Sequence, residues 1–225
     1  MDWNGLFWAE KHCEKPPESE VYRFIGLLEE RFASGPLRIW DLGCGAGRHA
    51  VAIAKTGHHA YASDNAPKGL ERTRQYLDIC GVSATLALAD MTECPWGDVS
   101  FHGVIAWDVL HHNTLSNTGR AVDVVHRSLV SGGLLLATLK SDKADWCGQG
   151  EEIEPGTFVL NKGPEAGVPH HYFNEKGIRQ LFCSGQWRLL ILAEQVITNY
   201  EQPDRFWEFT PFPWTTWGVL AEKRG

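Results

Sequence analysis

Several signals that identify common protein classes are missing from this 225-residue sequence. No run of Lys and Arg exceeds two residues, and acidic residues outnumber basic ones by 28 to 21. A protein that grips a phosphate backbone normally carries a positive stripe, so a nucleic acid partner is not expected. No apolar run approaches the roughly 18 residues that a membrane helix needs, so no membrane-spanning segment is expected.

The sequence also shows no paired-cysteine motif and no pattern typical of a signal peptide. The six cysteines are scattered and form no CxxC pair, which argues against both a zinc site and a disulfide framework. The N-terminus has no basic stretch followed by an apolar one, so we expect no signal peptide. These features predict reduced thiols and a cytoplasmic protein. The length fits one domain of ordinary size.

The most informative segment is a glycine-rich turn between two apolar stretches. The run 37–40 predicts a buried strand that ends at Asp41, and residues 48–55 predict an amphipathic helix. Glycines alternate with other residues between them: Gly43, Gly45 and Gly47. Such a turn suits a cofactor with a polar end, because glycine lets the ligand approach the backbone and the helix start offers free N–H groups.

An acidic residue follows the turn where a nucleoside-binding fold needs one. Asp64 ends the next apolar stretch and could accept both hydroxyls of a ribose. The stretch 45–50 also fits G-x-G-x-x-A, the dinucleotide fingerprint, and Tyr172 and Lys176 imitate the pair of short-chain dehydrogenases. Asn174 reads as a helix N-cap between them, which would keep the two side chains off a common helical face.

Strand and helix patterns alternate along the chain, which predicts a parallel sheet covered by helices on both faces. Apolar residues with helical spacing predict a first helix over 21–32. Strands are expected at 37–42, 59–63, 83–88, 101–106, 134–139, 187–197 and 214–222, and helices at 47–55, 67–80, 117–130 and 174–183.

Four segments together resemble the class I S-adenosylmethionine-dependent methyltransferases: Asp41–Gly47, Leu86–Met91, Phe101–His112 and Leu129–Leu136. The resemblance implies an α/β fold that is Rossmann-like and doubly wound. Its mostly parallel seven-stranded sheet would have an antiparallel last strand. Two positions depart from the family pattern, since His102 stands where Asp is usual and Trp107 where a small or polar residue is usual.

The resemblance also implies the cofactor, S-adenosyl-L-methionine, and its product, S-adenosyl-L-homocysteine. The residues expected at the cofactor are Asp41, Gly43, Cys44, Gly45, Gly47, Asp64, Asn65, Asp90, Met91 and Trp107. Asp90 is expected to accept from the adenine amino group, with Met91 beside the ring.

We expect a single methyltransferase domain over 1–225, with a cofactor-binding core at 37–140. Residues 1–36 would form an N-terminal lid and helix, and 174–225 a helix and a strand pair. The segment 141–173 interrupts the strand–helix rhythm, and long insertions are usually functional. We expect it to cover the acceptor pocket; a solvated hairpin with no role is the alternative.

Two adjacent histidine pairs fall near the expected active face, at 111–112 and 170–171. Imidazole titrates near neutrality, so one of them could be a general base. They could also line the pocket, or both pairs could bind a metal. We choose His112 and His171 as catalytic candidates and assign no metal site.

The sequence therefore predicts in-line methyl transfer to a small molecule. Aromatic clusters at 3–8 and 206–217 suggest an acceptor that carries a ring. The alternatives are a nicotinamide-dependent oxidoreductase and a non-catalytic adenosyl-binding protein. The acceptor atom and the oligomeric state stay open.

Overall fold

The computed structural model describes residues 16–33, 35–163, 165–183, 185–197 and 214–225. Its elements in chain order are α1 (Ser19–Arg31), β1 (Arg38–Leu42), α2 (Arg48–Lys55), β2 (His59–Asp64), α3 (Pro67–Cys80), β3 (Ala84–Leu88), β4 (Phe101–Ala106), α4 (Leu115–Ser128), β5 (Leu129–Lys140), β6 (Glu151–Glu154), β7 (Thr157–Val159), β8 (Pro169–His171), α5 (Glu175–Leu181), β9 (Trp187–Ile197) and β10 (Trp214–Lys223). The expected aromatic cluster at 3–8, residues 206–213 of the cluster expected at 206–217, and residues 1–15 of the expected N-terminal lid lie outside the described residues.

A seven-stranded sheet organises the fold, in the order β3-β2-β1-β4-β5-β10-β9. Strands β1 to β5 are parallel to one another, whereas β10 is antiparallel to both of its neighbours. The expected mostly parallel sheet with an antiparallel last strand is confirmed. The carboxyl ends of the parallel strands therefore meet at one edge, which is where doubly wound folds bind ligands.

Helices cover both faces of this sheet, as the sequence predicted. Apolar residues of α1 and α2 pack on one face around Ile39 and Ile105, and those of α4 and α5 pack on the other around Trp40 and Phe101. Helix α1 lies very close to β4, because a Cβ added at Gly103 would come within 2.4 Å of Leu28 Cδ1.

Most element boundaries agree with the sequence expectations to within two residues. Helix α4 begins at Leu115, where the Thr114 side chain accepts from Asn117 N as an N-cap. Asn174 caps α5 by accepting from Gly177 N at 2.8 Å. Tyr172 therefore precedes the helix and shares no helical face with Lys176, as the capping argument predicted. Strand β5 starts at Leu129, five positions earlier than expected, because Leu129 pairs with Phe101.

The insertion is a small sheet of its own, with β7 pairing antiparallel with both β6 and β8. We call residues 141–173 the insertion. Backbone bonds fasten it to the main sheet: His171 N donates to His111 O at 2.9 Å, and Phe173 N donates to Lys140 O at 2.8 Å. Among the described residues, no helix is long and apolar enough to cross a bilayer.

Candidate active site at the strand ends

A cavity of about 240 Å³ opens at the carboxyl ends of the parallel strands. Loops after four strands line it. The loops after β1, β2 and β3 contribute six of the residues that the sequence assigned to the cofactor: Gly43, Gly45, Asp64, Asn65, Asp90 and Met91. The loop after β4 adds His112. The fold thus brings together residues that are up to about 70 positions apart in sequence.

The glycine turn after β1 is held against the end of β2. Gly43 N donates to Ser63 O at 2.8 Å, and Gly45 N donates to Asp64 Oδ2 at 2.8 Å. Gly43 has a φ of 69°, and a Cβ there would lie 2.3 Å from Val109 Cγ2. Glycine is required at this position because the two loops approach each other so closely.

Three other predicted cofactor residues lie behind this turn and do not line the cavity. Gly47 precedes α2 with a φ of 85°, and a Cβ there would meet Thr73 Cγ2 at 2.6 Å. Asp41 Oδ2 accepts from Ala50 N at 3.0 Å, and burial raises the pKa of this carboxyl to about 7. Burial also raises the pKa of the Cys44 thiol well above its usual value, so this thiol stays protonated at neutral pH. These residues shape the turn.

Asp64 is the carboxylate most firmly tied to the cavity wall. Its Oδ1 accepts from Ala66 N and its Oδ2 from Gly45 N, both at 2.8 Å. Burial raises its pKa, and the backbone N–H groups act in the opposite direction. Because each carboxylate oxygen has two lone pairs, the group keeps acceptor capacity for a ligand hydroxyl.

Asp90 and Met91 follow β3 and face the same cavity. The Asp90 carboxylate is oriented through Oδ1, which accepts from Thr92 N at 3.0 Å and from Thr92 Oγ1 at 2.7 Å. Met91 is buried and joins the large apolar core under the sheet. The site therefore pairs a fixed acceptor with an apolar surface, which suits an aromatic base that carries an amino group.

Asp108 lines the cavity as well, and sequence reasoning missed it. Its φ is 54°, and among the described residues it is the one non-glycine with a positive φ. Asp108 N donates to Thr138 Oγ1 at 2.8 Å, which helps to hold this conformation. Backbone strain of this kind clusters at functional sites. Asp108 lies just after the end of β4, and Asp64 is the last residue of β2. This matching position was the signal that the sequence offered for Asp108.

A polar cluster borders the cavity beside His112. We call His112, Lys140, Glu165 and His170 the polar cluster. Glu165 Oε1 lies 3.9 Å from His112 Nε2. Glu165 Oε2 lies 2.9 Å from His170 Nε2 and 3.6 Å from Lys140 Nζ.

Charges in the polar cluster are set by burial and by contact. Burial acts to raise the pKa of Glu165, but the His170 hydrogen bond and the Lys140 charge outweigh it and lower the pKa to about 2. Burial, aided by His111, lowers the pKa of His112 well below its usual range. At neutral pH Glu165 is therefore ionised and His112 is neutral.

Two further predicted site residues, His171 and Trp107, lie outside the lining of the cavity. His171 is buried, with its Nδ1 2.7 Å from Thr157 Oγ1 and its ring against Phe173. The Trp107 ring lies 6.0 Å from the His49 ring, centroid to centroid, and packs against the apolar cluster on the α1 side. Their assignments to catalysis and to the cofactor stay predictions.

Comparisons with known proteins agree with this geometry. Residues 39–133 match a family model described as a methyltransferase domain. A ubiquinone biosynthesis O-methyltransferase of Methylocella silvestris is 34% identical over 97 residues, which cover 42% of this chain and 38% of that protein. A carboxy-S-adenosyl-L-methionine synthase of Escherichia coli is 26% identical over 194 residues, which cover 82% of this chain and 72% of that protein.

The fold is shared with solved methyltransferases. A S-adenosylmethionine-dependent methyltransferase from Methanosarcina mazei superposes with a TM-score of 0.72 at 16% identity, covering 93% of this chain and 99% of that one. The sheet order is that of the Rossmann-like fold that these solved methyltransferases share. The four sequence segments and the matched domain over residues 39–133 are both similar to the class I S-adenosylmethionine-dependent methyltransferase family. S-adenosylmethionine is the cofactor of that family.

Proposed function

We propose that this chain binds S-adenosylmethionine in the strand-end cavity and transfers its methyl group to a small-molecule acceptor. One observation carries the proposal: loops after four parallel strands enclose a single cavity with three carboxylates on its wall. These are Asp64, Asp90 and Asp108.

The residues present fit the adenosyl group. Ribose hydroxyls and an adenine amino group are donors, and Asp64 and Asp90 are oriented acceptors on adjoining loops. Gly45 leaves the backbone of the first loop open to a ligand. The sulfonium and ammonium groups of this cofactor are cationic, and an acidic wall favours them.

When bound, the cofactor supplies a methyl group already activated for displacement. The chain then has to position the acceptor and exclude water. The insertion is suited to both tasks because it is anchored beside the cavity: Glu154 Oε1 accepts from Leu115 N at 2.6 Å at the start of α4. His112 is a neutral imidazole on the cavity wall. It can accept a hydrogen bond from a substrate whose methyl-accepting atom carries a proton.

Two independent features support a small acceptor. The net charge of −7 disfavours nucleic acid. The relative from Methylocella silvestris is named for an O-methylation in ubiquinone biosynthesis, which concerns a small molecule. The five described cysteines are free thiols, which is consistent with the cytoplasmic location that we propose.

Calorimetric titration tests the cofactor assignment. We expect saturable binding of S-adenosylmethionine and S-adenosylhomocysteine and none of NADH. Tight NADH binding would favour the oxidoreductase alternative. A screen of small amines, thiols and phenols, followed by formation of S-adenosylhomocysteine, then tests catalysis. Cofactor binding with no turnover across the screen would favour a non-catalytic adenosyl-binding protein.

A second candidate is synthesis of carboxy-S-adenosylmethionine. It is favoured by the extent of that match, which covers 82% of this chain. Mass spectrometry of the nucleoside products separates the two reactions. Methyl transfer yields S-adenosylhomocysteine, which is lighter than the starting cofactor, whereas the synthase yields a carboxylated and heavier cofactor.

A further inference from the structure

Three side chains of the polar cluster converge although they come from distant parts of the chain. His112 follows β4, Glu165 lies in the insertion and His170 belongs to β8. One ligand atom from each lies within 4.8 Å of the other two. Among the described residues, this is the one group of three His, Cys, Asp or Glu side chains close enough to hold a metal ion.

The hydrogen bonds of His170 point to a cation beside it. Its Nδ1 lies 3.0 Å from Val168 O, and a carbonyl oxygen can only accept, so Nδ1 carries a proton. Its Nε2 lies 2.9 Å from Glu165 Oε2, which is also an acceptor. A neutral imidazole would place a lone pair against that carboxylate. A cation bound to Nε2 removes the conflict, whether it is a proton or a metal ion.

The same geometry is typical of a histidine that binds metal. Metal-ligating histidines almost always donate their second ring N–H to a carbonyl or a carboxylate, which fixes the tautomer and the ring direction. Val168 O plays that part for His170. The neighbouring His112 brings its Nε2 to 3.9 Å from Glu165 Oε1, the other oxygen of the same carboxylate.

We propose that His112, Glu165 and His170 form a binding site for a divalent transition-metal ion such as Zn²⁺. Two imidazoles and one carboxylate suit zinc and its neighbours, and three protein ligands leave one position for water or a substrate. Zinc–ligand bonds of about 2.0–2.2 Å require ligand atoms roughly 3–3.5 Å apart, so a separation of 4.8 Å must shorten by about 1.3–1.8 Å. Because His112 also lines the cavity, the ion would lie at its edge. The site shares His112 with the proposed acceptor pocket, but it is inferred from the positions of the three ligand atoms and does not depend on methyl transfer.

Lys140 provides a further test of the proposed site, because its ammonium competes with the metal ion for the Glu165 carboxylate. Its ammonium lies 3.6 Å from Glu165 Oε2 and is nearly buried. A second cation on the same carboxylate is repelled by Lys140. Replacing Lys140 with an uncharged side chain of similar length should therefore tighten metal binding, whereas general damage to the fold would weaken it.

Cobalt(II) titration of chelator-treated full-length protein tests the site. Co²⁺ takes the place of Zn²⁺ and shows ligand-field bands in the visible spectrum. We expect one equivalent to bind and to be displaced by Zn²⁺. H112A, E165Q and H170A should each weaken Co²⁺ binding by more than about 10-fold. K140M should strengthen it. H59Q, at an exposed histidine outside the cluster, should bind Co²⁺ like the unchanged protein.

Circular dichroism establishes that each variant is folded before it is titrated. Zn²⁺ should also raise the melting temperature of the unchanged protein and not that of H170A, because a ligand stabilises only the state it binds. The proposal is overturned if the unchanged protein binds Co²⁺ no more tightly than about 1 mM. It is equally overturned if stoichiometric binding survives in all three ligand variants. Neither result bears on S-adenosylmethionine binding.

Discussion

Asp64→Ala is the most direct test of the cofactor site. The substitution removes the acceptor for two backbone N–H groups, Gly45 N and Ala66 N, each at 2.8 Å. It also removes the acceptor proposed for the ribose hydroxyls. A hydrogen bond to a charged group contributes about 1.5–3 kcal/mol. Loss of the ribose contact should therefore weaken S-adenosylhomocysteine binding about 10- to 150-fold.

The assay has to separate lost contacts from lost folding. Since the loop bonds exist without ligand, Asp64→Ala should also lower the free energy of unfolding by about 1–3 kcal/mol. Urea titration measures that change, and calorimetry below the unfolding transition measures affinity in the folded protein. Asp123→Ala is the matched control, because Asp123 is exposed on α4 and lies outside the cavity lining. Unchanged affinity in folded Asp64→Ala protein would refute the ribose assignment.

Four further changes test other parts of the molecule. Gly47→Ala would place a Cβ 2.6 Å from Thr73 Cγ2 at a positive φ, so urea titration should show a loss of about 1–3 kcal/mol; an unchanged midpoint contradicts the steric argument. The folded pKa of Asp41 is raised to about 7, so its contribution to stability is present below the unfolded value near pH 4 and declines as pH rises to 7. Asp41→Asn should remove up to about 4 kcal/mol of the change in unfolding free energy between about pH 4 and pH 7. The same pH dependence in the variant and the unchanged protein would count against the raised pKa of Asp41. Asp90→Asn should weaken S-adenosylhomocysteine binding about 10-fold with little change in thermal unfolding, and equal affinity would remove Asp90 from the adenine contact. His171→Ala tests the predicted general base on a confirmed acceptor: a base requires a loss in kcat of about 10²–10⁴, whereas a loss below about 10-fold, which the position of its ring outside the cavity lining favours, would contradict the assignment.

Local patterns in the sequence were enough to predict the main sheet. Strands β1 to β4 are short apolar runs next to glycines or acidic residues, and their predicted bounds differ from the structure by at most one residue. The six cavity residues after β1, β2 and β3 were predictable too, because parallel strands place their carboxyl ends at one edge. A family resemblance could therefore be carried over position by position.

The polar cluster could not be predicted because it depends on non-local packing. Glu165 lies in a segment without a helical or strand pattern, and nothing in its neighbours singles it out. It reaches His112 because β8 pairs with β7 and because His171 N, in β8, donates to His111 O in the loop after β4. The sequence showed two histidine pairs, but it gave no sign that one member of each would converge on a third side chain.

Strand β10 has a consequence for how the chain is made. It pairs with β5 along Lys140–Leu134 and Thr216–Glu222, yet β9 is synthesised before it and lies on its far side. At roughly 5–20 residues per second, a ribosome needs about 4 to 15 s to pass from Lys140 to Thr216. During that interval β5 is complete but lacks the partner that covers its open edge. An uncovered strand edge is a template for wrong pairing. Closure of the sheet must therefore wait for β10, and until then β5 keeps an unpaired edge.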